Sequence, residues 1–157
     1  MERLRLRPMT AAEFKIYRAR LIPAYAAENV RAGDWDPDQA ETLAARETDD
    51  LLPAGPQTPG MLVLAAENEN GEQVGQVWIA LSRPGPGSAW IYDIKIGPGH
   101  RGRGYGRALL QAAEERARQH GASAIGLNVF GANTVARNLY ESSGYQATSL
   151  VMRKPLG

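Results

Sequence analysis

The chain has 157 residues, 43% of them hydrophobic, and a formal net charge of +1 at pH 7. This length suits one domain with its own core, so we expect a single domain over residues 1–157. The lack of cysteine excludes disulfides and thiolate ligands, and two histidines are too few for a histidine-built metal site, so no metal is expected. The small net charge argues against a nucleic-acid partner.

The sequence contains no apolar run near the ~20 residues that cross a bilayer. Its first nine residues, MERLRLRPM, lack the apolar stretch of a secretory signal peptide. We therefore expect a cytoplasmic protein that is not bound to a membrane.

The first elements are a strand and a long helix. Alternating arginine and leucine at 3–7 predicts a strand with one buried face. Thr10 and Glu13 have the spacing of a capping box, which begins an alanine-rich helix that reaches about residue 31. Pro23 is expected to kink or split this helix.

A second helix and three strands follow. Asp36 and Pro37 offer an N-cap and a first helical position for a helix that ends near residue 50. Asn70-Gly71 is a hairpin signal between two apolar runs, and a second glycine-rich turn precedes a third run. The three strands should form an antiparallel meander, with predicted ranges 61–67, 73–82 and 89–96.

After residue 100 helices alternate with strands. A helix that stops at Gly121 carries one apolar stripe, formed by Tyr105, Leu109, Ala112, Ala113 and Ala117. The next strand, 124–130, must lie parallel to the strand before the helix, because a crossover helix joins them. Asn133 caps a short helix over 134–143, and 145–154 is the last predicted strand. The order β-α-α-β-β-β-α-β-α-β indicates an α+β fold with a mixed, mostly antiparallel twisted sheet and helices on both faces.

The segment from Trp90 to Ala113 runs from a strand through a glycine-rich turn into a helix. Such a turn directs free backbone N–H groups at one point, and the helix dipole adds partial positive charge there. Three arginines, Arg101, Arg103 and Arg107, add full charges. The segment therefore predicts an anion site, and phosphate is the anion that it suits best.

Two common phosphate loops do not match. A dinucleotide fingerprint needs a third glycine where this chain has Leu109, and an acidic residue about 20 positions later, yet none lies between Arg116 and Tyr140. A Walker A loop needs lysine followed by serine or threonine, and the loop contains none of these. NAD binding and NTP hydrolysis are therefore not expected.

The run from Arg101 to Gly106, RGRGYG, matches the pattern Arg/Gln-x-x-Gly-x-Gly/Ala and resembles the acetyl-coenzyme A loop of the GNAT superfamily of N-acetyltransferases. A second stretch, Leu127 to Tyr145, resembles that family's strand, asparagine-capped helix and Leu-Tyr-Glu-x-x-Gly-Tyr/Phe ending. The resemblance implies an enzyme that transfers the acetyl group of acetyl-CoA to a primary amine, by direct attack in a ternary complex. It also implies a coenzyme site built from Ile94, Lys95, Ile96, Arg101, Gly102, Arg103, Gly104, Tyr105, Gly106, Arg107, Asn133 and Tyr140.

The same resemblance assigns chemistry to few residues. Tyr140 occupies the position of the tyrosine that protonates the leaving thiolate, although it also suits a core position. Many relatives carry a glutamate base where this chain has Asn128, which cannot accept a proton. Asp93 is the remaining strand carboxylate, placed by alternation on the side of Ile91 and Lys95. It is either the base or a structural partner of Lys95, and a water chain or an amine of low pKa would need no base.

The acceptor is not defined by the sequence. In the family, the first two helices and nearby loops shape the acceptor groove, which makes candidates of Tyr17, Tyr25, Glu28, Trp35 and Asp36. The acceptor could be a small molecule or a peptide or protein amine. A non-catalytic coenzyme A or acyl-CoA binder or sensor is the alternative function, and the missing glutamate supports it. A homodimer stays open.

Overall fold

The sequence alternates between strand and helix signals, and the chain folds accordingly. The computed structural model describes residues 3–157. Its strands are β1 (Arg5–Pro8), β2 (Met61–Glu67), β3 (Gln73–Leu81), β4 (Ser88–Ile96) and β5 (Ala124–Leu127). Its helices are α1 (Ala11–Arg31), α2 (Ala40–Leu51), α3 (Tyr105–Gln119) and α4 (Thr134–Ser142), and short 3-10 turns lie at Gly55–Gln57 and Pro98–His100.

The five strands form one sheet in the order β1-β2-β3-β4-β5. The first three pairs are antiparallel, and β4 pairs with β5 in parallel, as expected for strands joined by a crossover helix. The predicted α+β class with a mixed, mostly antiparallel sheet is confirmed.

The core lies on both faces of the sheet, because alternate strand residues point in opposite directions. Leu64 and Ile79 face α3, where they pack with Leu109 and Leu110. Residues of the opposite face, among them Val63 and Trp78, pack against Tyr17 of α1. They also contact Met9 and Leu52, which lie just before α1 and just after α2. The helices therefore cover both faces, as predicted.

Several predicted boundaries in the helices are wrong. Pro23 does not split α1, which continues as one helix across it. A proline removes one helical N–H and crowds the carbonyl group of the residue four positions earlier, here Ala19, but this 21-residue helix continues through that local cost, and Pro23 lies exposed. The second helix begins at Ala40 rather than at Pro37, because the Asp36 carboxylate accepts the N–H of Asp38 and holds a turn there.

The predicted last strand over 145–154 is not formed. Residues 145–157 have no regular secondary structure, and the preceding strand, β5, ends at Leu127 rather than at residue 130. A strand exists only where a neighbouring strand supplies hydrogen bonds, and none lies on the outer side of β5 among residues 3–157.

A bulge in β4 overturns one part of the predicted direction of Asp93, which lies on the side of Lys95, as predicted, but on the side opposite to Ile91. Trp78 pairs with Asp93, but the next residue, Ile79, pairs with Ile91, so that Tyr92 is an extra residue in β4. The extra residue reverses the alternation after it. Asp93 therefore faces α1 together with Tyr92, while Ile91 faces α3.

Within residues 3–157, no helix is both long enough and apolar enough to cross a membrane.

The predicted capping box is present at the start of α1. The Thr10 side chain accepts the N–H of Glu13, and Glu13 accepts the N–H of Thr10. Glu13 also receives two hydrogen bonds of 2.7 Å from Arg7, the larger cause of a pKa lowered to about 2. This ion pair fastens the end of β1 to the first turn of α1.

We expect Glu13→Gln to lower the free energy of unfolding by about 1 kcal/mol at pH 7, because glutamine keeps the capping-box oxygen but loses the charge that pairs with Arg7. The folded pKa lies below the unfolded one, so this stability is present above about pH 4.5 and is lost as the pH falls towards 2. Urea unfolding at pH 7 and pH 2.5 measures the difference. Glu41→Gln, in the exposed first turn of α2, is the matched control. An equal loss at both pH values would contradict the ion-pair account.

Candidate active site

The glycine-rich loop joins the end of β4 to α3. Gly102 and Gly104 have φ of +78° and +82°, in a region that residues with a Cβ rarely adopt. Gly104 is also the N-cap of α3, and no side chain caps that end. The N–H groups of Gly102, Arg103, Gly104, Gly106 and Arg107 have no backbone acceptor in the described part of the chain. The loop thus directs free donors and the positive end of a helix dipole to one exposed place.

The three arginines of this loop differ in their surroundings. Arg101 donates from Nε to the carbonyl oxygen of Ile96 at 3.1 Å, which folds the loop back on β4. Arg107 donates to Ser142 Oγ and Ser143 Oγ at 2.9 and 3.0 Å and joins α3 to the end of α4. Arg103 is exposed and forms no ion pair with any residue from 3 to 157.

Next to the loop, β4 and β5 separate. Their pairing stops at Ile91 and Leu127, although β4 continues to Ile96. A cleft of about 100 Å³ opens at this point. It is lined by Glu28, Ile91, Tyr92, Asp93, Ile94, Leu127, Asn128, Val129, Phe130, Asn133 and Tyr140.

Asp93 is held in this cleft by two hydrogen bonds to one oxygen. Tyr17 donates from its hydroxyl to Oδ2 at 2.7 Å, and Gln76 donates from Nε2 to the same atom at 3.4 Å. The other oxygen, Oδ1, receives no hydrogen bond from residues 3–157. Burial raises the pKa of Asp93, and the two hydrogen bonds and the charge of Lys95 oppose that rise.

Tyr140 and Glu28 contribute the other ionisable groups of the cleft. Burial, together with the charges of Asp93 and Glu28, raises the pKa of Tyr140 to about 12, so its hydroxyl keeps its proton at neutral pH. Glu28 has a raised pKa because it is half-buried and close to the charge of Asp93, while Arg31 and Lys95 oppose the shift. The cleft therefore combines a proton donor with two carboxylates.

The structure brings only some of the sequence-predicted residues together. Asn133 lines the cleft and also caps α4, since its side chain accepts the N–H of Ala136 at 3.2 Å. Tyr25 and Trp35 lie outside the cleft lining and pack edge to face, with ring centroids 5.4 Å apart. The Tyr25 hydroxyl donates to Glu47 at 2.9 Å.

Sequence reasoning missed Gln76, which holds Asp93 from the neighbouring strand. Gln76 pairs with Lys95 in the register of β3 and β4. The signal was present, because a glutamine within an otherwise apolar strand needs a polar partner once it is buried. It also missed the cleft wall formed by Val129 and Phe130, since the early end of β5 cannot be predicted from composition.

A family model described as "Acetyltransferase (GNAT) family" matches residues 23–145. The chain is similar to the uncharacterized N-acetyltransferase YycN of Bacillus subtilis, at 38% identity over 96% of this chain and 97% of YycN. It is also 31% identical to YdgE of the same organism, over the same shares of each chain.

Similarity extends to solved structures. The crystal structure of the YycN acetyltransferase of Bacillus subtilis superimposes with a TM-score of 0.93 at 37% identity, covering 98% of both chains. The fold alone is shared with the aminoglycoside N-acetyltransferase AAC(6')-Iy in complex with CoA, at 16% identity and a TM-score of 0.63, covering 99% of this chain and 95% of that one. The chain therefore belongs to the acetyltransferase (GNAT) family and is an acyltransferase.

Proposed function

We propose that this protein transfers the acetyl group of acetyl-CoA to a primary amine, by direct attack within a ternary complex. The observation that carries the proposal is the cleft where β4 leaves β5, which joins Tyr140 and Asp93. Neither residue lies in the glycine-rich loop, so the proposed catalytic residues and the proposed coenzyme-binding loop are separate parts of the chain. Tyr140 would serve as the acid and Asp93 as the base.

The residues present suit a coenzyme with a pyrophosphate and an extended arm. A Cβ added to Gly102 or Gly104 would meet no atom within 4 Å, so the loop surface is open to a ligand. The N–H groups of Gly102, Arg103, Gly104, Gly106 and Arg107, which have no backbone acceptor among residues 3–157, suit the pyrophosphate. The backbone of Ile94, Lys95 and Ile96 lies beyond the pairing with β5, so an extended arm would run beside it, although Arg101 already occupies the carbonyl oxygen of Ile96. When bound, acetyl-CoA supplies an activated thioester.

Asp93 would assist the most costly step, which is the removal of a proton from the acceptor amine. An alkyl amine with a pKa near 10.4 must lose its proton at about 4–5 kcal/mol before it can attack at pH 7. The free Oδ1 of Asp93 can accept that proton, because Tyr17 and Gln76 occupy only Oδ2. As the C–N bond forms and the C–S bond breaks, Tyr140 gives its hydroxyl proton to the leaving sulfur, whose pKa as a thiol is about 8.5. The second proton, which the nitrogen loses on becoming an amide, returns to the Tyr140 oxygen.

Two carboxylates in one small cleft favour a cationic acceptor. Glu28 and Asp93 both line the cleft, and the charge of each stabilises a bound ammonium group. We infer a primary amine on a small molecule or a peptide, which reaches the cleft past Glu28 on α1. Tyr25 and Trp35 would contact only the distal part of a larger acceptor, since they lie outside the cleft lining.

A coenzyme A binder or sensor without activity is the second candidate. One observation favours it: Asn128, a side chain without acid–base chemistry, lines the cleft where many relatives carry a glutamate. In a sensor, Asp93 and Tyr140 would have structural roles only.

Thiol release from acetyl-CoA separates the two candidates. The chain contains no cysteine, so a thiol reagent reports released coenzyme without background from the protein. We expect release with at least one class in a panel of polyamines, aminoglycosides, amino acid amides and lysine peptides. Calorimetric binding of coenzyme A without release on any amine would support the sensor. Absence of coenzyme binding would contradict both candidates.

Arg103→Ala should weaken coenzyme A binding by about tenfold, because an exposed guanidinium without a protein partner is free to pair with phosphate. Calorimetric titration at low and high salt measures the change, which should shrink as salt screens the charge. Arg118→Ala is the matched control, since Arg118 lies at the far end of α3 and pairs with Glu115. An equal effect of both variants would place the pyrophosphate elsewhere.

A further inference from the structure

Arg83 lies in the turn between β3 and β4, and its side chain folds back over β4. The guanidinium carbon lies 5.2 Å from the centroid of the Trp90 ring and 4.9 Å from the centroid of the Tyr92 ring. Its Nη1 also donates a hydrogen bond to the Tyr92 hydroxyl. Arg83 is exposed, but a cation over the faces of two aromatic rings is held in place by them. The position of this positive charge is therefore fixed at the surface.

The two rings under Arg83 are themselves supported by the neighbouring strands. Trp90 lies over Gly126 of β5, where an added Cβ would stand only 3.0 Å from two atoms of the Trp90 ring. Tyr92 packs against Trp78 of β3, with ring centroids 4.5 Å apart and ring planes 30° apart. Three strands thus contribute to the support of one guanidinium group.

The positive charge of Arg83 has no acidic partner within the described chain. No carboxylate among residues 3–157 forms an ion pair with it. Of its three side-chain nitrogens, Nη1 alone donates to a group of these residues. A guanidinium presents its donors as a planar fork that matches a carboxylate. A fixed guanidinium with open donors and without a counter-ion suits an anion from outside the chain.

Arg83 lies beside the cleft of about 100 Å³ that contains Asp93 and Tyr140, here named the small cleft. Tyr92, which contacts Arg83, lines the small cleft. Tyr92 and Asp93 are consecutive residues, with Cα atoms about 3.8 Å apart, and both face α1. One small molecule can therefore reach Asp93 with one end and Arg83 with the other.

The two ends of this path carry opposite charges. Glu28 and Asp93 give the small cleft negative charge, which suits an ammonium group, whereas Arg83 suits an anion. Lys95 is another cation on this side of the sheet, but its charge acts on Asp93 and Glu28 and lowers the pKa of both. The carboxylates of the small cleft therefore offset Lys95, while Arg83 is left for a ligand.

We propose that the acceptor carries a carboxylate as well as its amine, with the amine at Asp93 and the carboxylate paired with Arg83. This inference rests on the proposed acetyl transfer and names the class of its acceptor, which is an amino acid or a short acidic amine rather than a polyamine. Arg83 is then a specificity-determining residue. It binds a part of the acceptor that does not react, and it takes no part in proton transfer.

Pairs of acceptors that differ only in the anionic group test this inference. Straight-chain ω-amino acids with three to five methylene groups are compared with their amides, which keep the amine and the chain length. We expect kcat/KM for at least one acid to exceed that of its amide by about tenfold, mainly through KM, because the ion pair contributes to binding. Added salt should reduce this preference. Equal rates for every acid and its amide, or faster reaction of the amides, overturn the inference.

Arg83→Gln removes the charge and should lower kcat/KM for the acids by about tenfold, while the rates of the amides stay unchanged. Arg83→Lys keeps the charge without the fork and should restore part of the preference. Arg46→Gln is the matched control, since Arg46 is an exposed arginine of α2 that also forms no ion pair with residues 3–157. If Arg83 only fixed the turn between β3 and β4, its loss would slow acids and amides alike, and that result overturns the inference.

Calorimetry in the presence of coenzyme A separates the inference from the proposed function, because coenzyme A has no acetyl group to transfer. We expect the preferred acid to bind the wild type about tenfold more tightly than its amide, and Arg83→Gln to bind the two equally. Tighter binding of the acid, without thiol release from acetyl-CoA on any acceptor, would contradict the transfer but support the carboxylate site. Amine-dependent thiol release with equal binding of acid and amide would leave the transfer standing and overturn the role of Arg83.

Discussion

Tyr140→Phe is expected to lower kcat by about 10- to 1000-fold, the contribution of a general acid, while leaving the affinity for coenzyme A unchanged. The hydroxyl is the only group removed, and its pKa, raised to about 12, keeps it protonated at the pH of the assay. The loss should be smallest with an acyl donor whose leaving thiol is more acidic, because such a thiolate needs less help from a proton. Thiol release with two thioesters and calorimetry with coenzyme A provide both readouts.

Tyr145→Phe is the matched control for this variant. Tyr145 packs against Tyr140 with ring centroids 5.9 Å apart, but its hydroxyl bonds to Glu114 and it does not line the small cleft. We expect Tyr145→Phe to be less stable than the wild type but to keep the wild-type kcat. If Tyr140→Phe turned over like the wild type, or both variants lost kcat equally, Tyr140 would be a core residue and not the acid.

Local patterns in the sequence were sufficient to predict the glycine-rich loop and α4. The φ of +82° at Gly104 and the cap from Asn133 depend on residues within a few positions. The same holds for the capping box at Thr10, which a four-residue spacing predicts. Such features form wherever the backbone geometry is right, whatever the rest of the fold does.

Features that depend on distant partners could not be predicted in this way. The side of the sheet that Asp93 occupies is decided by the extra residue Tyr92, and a bulge is defined only by the register of two strands. Gln76 and Tyr17 reach Asp93 from separate elements, across 17 and 76 residues of sequence. Residues 145–154 have the sequence of a strand, but whether they pair depends on what lies beside β5.

Burial of the Asp93 carboxylate lowers the stability of the folded state at neutral pH. Asp93 has a raised pKa, so the folded state binds its proton more tightly than the unfolded chain does. Stability from this group is therefore present at low pH and falls as the pH rises from about 3.8 through the folded pKa. A buried carboxylate that lowers stability in this way is more typical of a functional site than of a residue kept for packing.

Asp93→Asn should remove the acidic limb of the pH–rate profile and lower kcat/KM at pH 7 by about 10²- to 10⁴-fold. The wild-type rate should rise with pH as Asp93 loses its proton, because only the carboxylate accepts the proton of the amine. The same variant should be more stable than the wild type at pH 7 and equal to it near pH 3, since asparagine avoids the buried charge. A purely structural aspartate predicts the reverse, a loss of stability with an unchanged pH profile.

Tyr17→Phe gives the sharper form of this test, because it leaves the base in place. The Tyr17 hydroxyl bond of 2.7 Å lowers the pKa of Asp93, so its removal should move the acidic limb to higher pH. The variant should be slower than the wild type below the limb and approach its rate above the limb. Tyr25→Phe, on the same helix but bonded to Glu47 outside the cleft, should leave the limb where it is. If Tyr17→Phe also left the acidic limb where it is, Asp93 would not be the base, and the proton of the amine would pass to a water chain or leave an acceptor of low pKa.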